Sequence, residues 1–234
     1  MVISELIQRS PIRVFEQSIK GGLKPGEIGV IAAPSGIGKT SVLVQIALDK
    51  LLQGGKIIHV SFTQHTDYVL VWYKDIFNEF IKKKNLENAE EVRNAVVKNR
   101  VLMKFNQEGF SVDQILKSLR ALIKDGDFEA DSVIVDGFDF SAADTDSLTA
   151  FKVFASEMGV SLWFSCTVSG EGPLYNKQNI PLVLKDFVDM FRVIMILEPK
   201  PDHIALTVVR EQVGGVSGNP ALKLDPKTLL ILEN

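Results

Sequence analysis

The chain is poor in cysteine and histidine, and this scarcity argues against disulfide bonds and against metal sites built from these side chains. Cys166 is its one cysteine, so no disulfide can form within the chain. That usage is typical of a reducing compartment, and we expect a cytoplasmic protein. The three histidines, His59, His65 and His203, lie far apart and lack the spacing of metal ligands. We therefore expect no metal cage built from protein side chains alone.

Long apolar runs and an excess of one charge are missing as well. No stretch approaches the roughly 20 apolar residues that cross a bilayer, and the polar segment 1–10 does not resemble a secretion signal. Lys and Arg number 26 against 29 Asp and Glu, a balance that gives no indication of nucleic acid binding. The 234 residues are 46% hydrophobic and 24% charged, which is typical of a globular protein with a sizeable core. We expect one domain over residues 1–234 and no membrane partner.

Apolar runs with strand character alternate with segments of helical periodicity along most of the chain. The predicted strands are 27–32, 56–62, 101–105, 131–136 and 160–166, and the predicted helices are 39–52, 67–83, 89–98, 111–124 and 147–158. This alternation predicts an α/β fold with a mainly parallel central sheet flanked by helices. In the tail, the short runs 193–197, 204–209, 222–225 and 229–232 are separated by Pro, Gly and Asn and predict antiparallel hairpins.

The sequence APSGIGKT, from Ala33 to Thr40, joins the first of these strands to the first helix. It matches the phosphate-binding pattern G-x-x-x-x-G-K-[ST] except for Ala33 in place of the first glycine. Gly36 and Gly38 permit backbone conformations that turn successive N–H groups inward, and the helix adds its positive N-terminal end. A glycine-rich turn without a ligand is the alternative. The predicted nucleotide-binding residues are Ala33, Pro34, Ser35, Gly36, Ile37, Gly38, Lys39, Thr40 and Ser41.

Three side chains would carry the chemistry of such a site. Lys39 would reach the β- and γ-phosphates, and the Thr40 hydroxyl would bind Mg²⁺. Asp136 ends the buried strand 131–136 and would bind the Mg²⁺ through water. An aspartate that caps a turn is the alternative for Asp136, because Gly137 follows it. Together these residues predict a nucleoside triphosphate with Mg²⁺ as the ligands.

The residues around this pattern resemble the RecA/KaiC/DnaB superfamily of ATPases. The segments 21–23 (GGL) and 25–27 (PGE) precede the first strand as in that family, and the tail from 186 to 225 is similar to the ending of KaiC-like proteins. The resemblance extends from about Pro11 to Leu232. It implies a RecA-like P-loop fold, ATP as the nucleotide, and a homo-oligomer with the nucleotide near a subunit interface.

The chain departs from this family where the catalytic glutamate is expected, after the second strand. It has Phe62, Thr63 and Gln64 there, so neither register offers a carboxylate to act as general base. Gln64 would still be able to orient a water molecule by hydrogen bonds. Asp67 is a further substitute, although we expect it to cap a helix instead.

The family also has a lysine and an arginine two residues apart in the tail. They contact the γ-phosphate of the nucleotide that a neighbouring subunit binds. Val208 and Arg210 occupy the matching positions, so the arginine alone remains. Arg210 is therefore a candidate catalytic residue supplied to a neighbour. A surface arginine paired with an acid of the same chain is the alternative.

Three functions are compatible with these residues. The favoured one is an ATP-dependent switch or assembly factor, with weak or absent hydrolysis and room for a protein partner. The second is an active ATPase completed by Gln64 or Asp67 and by a neighbour's Arg210. The third is a recombinase-like DNA-binding protein, which is not favoured. The loop 168–181, where such proteins contact DNA, offers only Tyr175 and Lys177 for stacking and phosphate contacts.

Overall fold

The computed structural model describes residues 11–19, 21–63, 65–84, 89–106, 109–211 and 222–232. The helices are α1 (Pro11–Ser18), α2 (Lys39–Leu52), α3 (Thr66–Lys84), α4 (Ala89–Lys98), α5 (Val112–Lys124), α6 (Thr145–Met158) and a 3-10 helix (Leu182–Met190). The strands are β1 (Ile28–Ala33), β2 (Ile57–Ser61), β3 (Arg100–Lys104), β4 (Ser132–Asp136), β5 (Ser161–Thr167), β6 (Val193–Pro199), β7 (Ile204–Glu211) and β8 (Leu222–Leu224). None of the helices in these ranges is both long and apolar enough to cross a membrane.

The strands form one eight-stranded sheet in the order β3-β2-β4-β5-β1-β6-β7-β8. Neighbouring strands from β3 to β6 are parallel, and β7 and β8 follow as antiparallel strands. The predicted fold class is confirmed at this level: an α/β protein with a mainly parallel sheet, flanking helices and C-terminal antiparallel hairpins.

Helices cover both faces of the sheet, and this explains why the central strands β1, β2, β4 and β5 are buried at nearly every position. Along β4, Ile134 points into the core shared with α1 to α4, whereas Val133 and Val135 point into the core shared with α5 and α6. Both cores are fully buried around these residues. A strand buried on both faces has no polar alternation, as is usual in parallel sheets.

The tail departs from the prediction at one place. The predicted strand 229–232 is replaced by a single bridge between Leu224 and Ile231. The reason lies in the backbone, because residues 226–228 form a turn and Leu229 has a φ of 54°. A left-handed residue interrupts an extended strand. Helix α1 and the 3-10 helix were not predicted, since both are short.

Candidate functional site

A cavity lies at the carboxyl edge of the sheet, where β1, β2, β4 and β5 end. Its volume is about 360 Å³. Its lining consists of Ser35, Gly36, Gly38, Lys39, Thr40, Thr63, Trp72, Asp136, Gly137, Ser165, Thr167 and Leu229. In open parallel sheets ligands bind outside the carboxyl ends of the strands. Five of the nine predicted nucleotide-binding residues and Asp136 therefore come together at one concave surface, whereas Ala33, Pro34, Ile37 and Ser41 are not part of its lining.

The 33–40 segment leaves the sheet and turns directly into α2. Ala33 is the last residue of β1, fully buried and paired with Thr167 of β5. A residue in a strand does not need the conformational freedom of glycine, so alanine in place of the first glycine of the pattern causes no backbone strain. Gly36 and Gly38 do need their lack of a side chain, because their φ angles are 79° and 105°.

Within the described residues, the backbone of this segment has a run of N–H donors without hydrogen-bond acceptors. None of the N–H groups of residues 35–41 donates a hydrogen bond to an acceptor in the described part of the chain. The first intrahelical bond of α2 is made by Val42, which donates to the Gly38 carbonyl. Gly38 caps the helix without a side-chain acceptor. Unpaired N–H groups at a helix N-terminus form a site that favours an anion.

Lys39 adds a positive charge beside these donors. Its ammonium donates to the carbonyl oxygens of Ala33 at 3.0 Å and Pro34 at 2.8 Å. Burial lowers the pKa of Lys39, and the nearby Asp136 carboxylate partly offsets that effect. A phosphate bound here would supply the counter-charge that a buried ammonium lacks.

Asp136 is held by two hydroxyl groups from different elements. The Thr40 hydroxyl donates to its Oδ2 at 2.8 Å, and the Ser165 hydroxyl donates to its Oδ1 at 2.6 Å. Ser165 in turn accepts from the backbone N–H of Gly137 at 2.7 Å. Asp136 is 3% exposed, yet it lines the cavity. Buried charges need such hydrogen bonds, and these two fix the direction of the carboxylate.

The oxygens of Thr40 and Asp136 suit a hard cation such as Mg²⁺. The described residues contain no group of three or more His, Cys, Asp or Glu side chains able to hold a metal by themselves. Mg²⁺ in phosphate sites usually takes one or two protein oxygens and completes its coordination with water and phosphate. One hydroxyl and one carboxylate 2.8 Å apart fit that pattern.

Thr63 lies where a catalytic glutamate was expected and lines the cavity. A Cβ added to Gly137 would lie 2.6 Å from the Thr63 Oγ1, so these two residues are in close contact. Asp136 is the single carboxylate among the described residues that line the cavity. Gln64 lies outside the described residues.

Two further acids, Asp67 and Asp139, are not part of the lining of the cavity. Asp67 does not cap α3 as predicted, because the helix begins one residue earlier, at Thr66. Its carboxylate lies 3.1 Å from the His65 Nδ1, and Asp67 is not part of the cavity lining. Asp139 accepts two hydrogen bonds from Ser141 in a tight turn and is also absent from the lining.

Arg210 lies on β7, outside the lining of the cavity. Its guanidinium donates to the Asp189 carboxylate at 2.6 Å. The pairing with an acid of the same chain matches the alternative interpretation of this arginine. A role in a neighbouring subunit's site stays a prediction.

Sequence patterns did not identify several residues of the lining, among them Trp72, Ser165 and Leu229. Trp72 is half-buried and comes from α3, one residue before the buried Tyr73. The Leu229 carbonyl accepts from the Ser41 hydroxyl at 2.8 Å and from the Gln45 amide at 2.9 Å. Helix α2 thus fixes the C-terminal segment at the edge of the cavity.

No protein-family model matches the chain, and no curated protein matches it significantly.

Proposed function

We propose that this chain binds Mg²⁺-ATP at the carboxyl edge of its sheet and acts as a nucleotide-dependent switch or assembly factor of the RecA/KaiC type, with weak or absent hydrolysis. The observation that carries the proposal is the run of N–H groups of residues 35–41, which have no acceptor in the described chain and stand at the N-terminus of α2. Such a run suits the oxygens of a polyphosphate.

Each remaining part of the site supports the same ligand. Lys39 would pair with the phosphates, and the Thr40 hydroxyl and Asp136 carboxylate would hold Mg²⁺, which neutralises phosphate charge when bound. The cavity of about 360 Å³ falls in the range of small-molecule sites. Six parallel strands followed by antiparallel β7 and β8 agree with a RecA-like P-loop fold. The resemblance adds the expectation of a homo-oligomer.

Weak hydrolysis follows from the carboxylates of the lining. Asp136 is engaged by Thr40 and Ser165, and no second carboxylate among the described lining residues is free to take a proton from water. Loss of a general base typically lowers a rate by a factor of ~10² to 10⁴. ATP would then act mainly as a ligand that stabilises one conformation or assembly.

The binding part is tested by titrating ATP with Mg²⁺ into the wild type, Lys39→Ala and Lys50→Ala. Lys50 is a matched control, because it lies on the same helix but pairs with Glu16, away from the cavity. We expect Lys39→Ala to weaken binding at least about tenfold, the effect of losing charge-assisted hydrogen bonds. Equal affinity for all three proteins would contradict the site.

The hydrolysis part is tested by measuring phosphate release from the same proteins and from Thr63→Glu, Gln64→Glu and Thr63→Gln. We expect wild-type turnover no higher than that of Lys39→Ala, and an increase of ~10²-fold in one of the two glutamate variants. Thr63→Gln is the uncharged control and should stay inactive. Lys39-dependent turnover by the wild type would mean an active ATPase.

A further inference from the structure

A second concave surface lies between α3 and α4, next to β3 at the edge of the sheet. Its volume is about 250 Å³. The groove is lined by Leu70, Tyr73, Lys74, Phe77, Arg93, Val96, Val97 and Arg100. None of these residues lines the nucleotide cavity. The groove is therefore a separate feature that the proposed nucleotide function does not use.

The walls of the groove expose apolar side chains to solvent. Leu70 on α3 is 42% exposed, and Val97 on α4 is 56% exposed. Between them, the floor is formed by the buried Tyr73, Phe77 and Val96. An apolar floor continuous with exposed apolar walls is typical of an interaction site rather than of scattered surface residues.

Three cations, Lys74, Arg93 and Arg100, surround this apolar floor, and none of them has an acidic partner among the described residues. None of the described residues of the lining is acidic. The acid Glu79, also on α3, pairs with Lys82 instead, at 2.6 Å. Within the described residues, the groove thus combines apolar surface with three cations that have no carboxylate partner.

Contacts with aromatic rings hold the side chains of the two arginines in place. The Arg100 guanidinium stacks over the Tyr73 ring at 4.1 Å from its centre, and burial lowers the pKa of Arg100. Arg93 lies 5.9 Å from the centre of the Phe77 ring and donates to the Asn78 side chain at 3.0 Å. Stacked guanidinium groups keep N–H donors at their edges, where they suit carboxylates.

We propose that this groove binds a short segment of a partner protein in which apolar residues alternate with Asp or Glu. The apolar residues would cover Tyr73, Phe77 and Val96, and the carboxylates would pair with the three cations. Charge complementarity favours this occupant, because a neutral apolar segment would leave those cations desolvated and unpaired. A basic segment would be repelled.

The test is a selection from a displayed library of random peptides on the full-length wild-type protein. The groove variant is Lys74→Glu combined with Val97→Asp, both at exposed positions. The matched control is Lys117→Glu combined with Val153→Asp, exposed residues of the same types on α5 and α6, and Val153 is 47% exposed. Thermal unfolding of both variants confirms that they fold.

We expect the selected peptides to be apolar and acidic, and to bind the groove variant at least about tenfold more weakly than the control variant. Selected peptides that are basic, or that bind both variants equally, would overturn the proposal. So would the recovery of no peptide above background.

Two further measurements distinguish other occupants. If vesicles of phosphatidylcholine and phosphatidylserine bind the control variant but not the groove variant, the occupant is an anionic membrane and the proposal is wrong. If the wild type self-associates and the groove variant does not, the occupant is a second copy of this chain. With a peptide partner, both measurements should show no difference between the variants.

Discussion

The Thr40 hydroxyl donates a 2.8 Å hydrogen bond to the Asp136 carboxylate, although the two residues are 96 positions apart in the sequence. This contact joins the start of α2 to the end of β4. It places a hydroxyl and a carboxylate oxygen side by side in the lining of the cavity, so each can be tested by substitution.

The first prediction concerns the Mg²⁺ dependence of nucleotide binding. Asp136→Asn keeps the shape of the side chain but removes its charge, so Mg²⁺ should no longer tighten ATP binding as it does for the wild type. We expect the benefit of Mg²⁺ to fall about tenfold, in line with the loss of one charge-assisted contact. Titrations with Mg²⁺ and with a chelator measure this difference.

The matched control is Asp139→Asn, since Asp139 lies three residues further along but outside the cavity lining. Its titrations should resemble those of the wild type. If the two variants lose the same amount of affinity, the Mg²⁺ role of Asp136 is wrong.

The second prediction concerns the contact between Gly137 and Thr63. Gly137→Ala combines a φ of 81° with a Cβ only 2.6 Å from the Thr63 Oγ1. We expect it to lower the free energy of unfolding by about 2 to 4 kcal/mol, from backbone strain and steric overlap together. Denaturant unfolding measures this loss.

Two comparisons separate the strain from the overlap. Gly159 also has a positive φ, 65°, but has open space around its Cβ position, so Gly159→Ala should show the strain alone. A Thr63→Ala background removes the contacts at 2.6 and 2.7 Å and keeps only the Thr63 Cβ at 3.2 Å, so the cost of Gly137→Ala should fall close to that of Gly159→Ala. If Gly137→Ala lowers the free energy of unfolding by the same amount in the Thr63→Ala background, steric overlap with Thr63 is not the cause.

The third prediction uses Trp72 as a reporter of the cavity. The chain has two tryptophans, and Trp163 is buried against Phe15, away from the lining. In a Trp163→Phe variant, Mg²⁺-ATP should change the fluorescence of Trp72, because a ligand in the cavity alters the solvent around the half-buried indole. Trp72→Phe should abolish the response. A response that survives in Trp72→Phe would locate the nucleotide elsewhere.

The sequence predicts those residues of the site that lie in a short continuous motif, and it does not predict those that only the folded chain brings together. Ala33 to Thr40 lie together in the chain, and Asp136 ends the strand-like segment 131–136, so sequence patterns alone are enough to predict both. Ser165 reaches Asp136 only because β5 pairs with β4, and Leu229 reaches Ser41 only because the tail folds back on α2. No residue spacing carries that information.

The fold too was predicted where it depends on local sequence patterns, and missed where it depends on tertiary contacts. The alternation of strands and helices predicts the α/β class, because burial on both faces requires continuous apolar strands. The strand 229–232 was wrongly predicted, since its composition gives no sign that Leu229 would adopt a left-handed backbone. The contact of its carbonyl with Ser41 and Gln45 is tertiary, and it overrides the local preference.

The fourth prediction concerns pH. His59 lies buried on β2, with its Nδ1 3.1 Å from the Tyr73 hydroxyl and no hydrogen-bond partner for its Nε2 among the described residues. Burial lowers the pKa of His59 to about 4, with Asp136 opposing this shift and Arg100 adding to it. The folded protein therefore keeps this imidazole neutral at pH values where the unfolded chain, with a pKa near 6.5, protonates it.

The sign of the effect follows from proton binding. Between pH 6.5 and 4 the unfolded state binds more protons at this position, so stability rises with pH, and it is lost as the pH falls through this window. The slope from one such group approaches about 1.4 kcal/mol per pH unit. Denaturant unfolding between pH 4 and 7.5 measures it.

His59→Leu should remove that slope, even if it lowers stability at every pH because Tyr73 loses its partner. Tyr73→Phe serves as the control, since it removes the hydroxyl but leaves the imidazole buried, and the slope should remain. Retention of the wild-type slope in His59→Leu would assign the pH dependence to other groups. If the slope disappears in His59→Leu but remains in Tyr73→Phe, the burial of His59 makes the fold sensitive to acid. His59 lies on β2, next to the edge strand β3 that carries Arg100 of the groove.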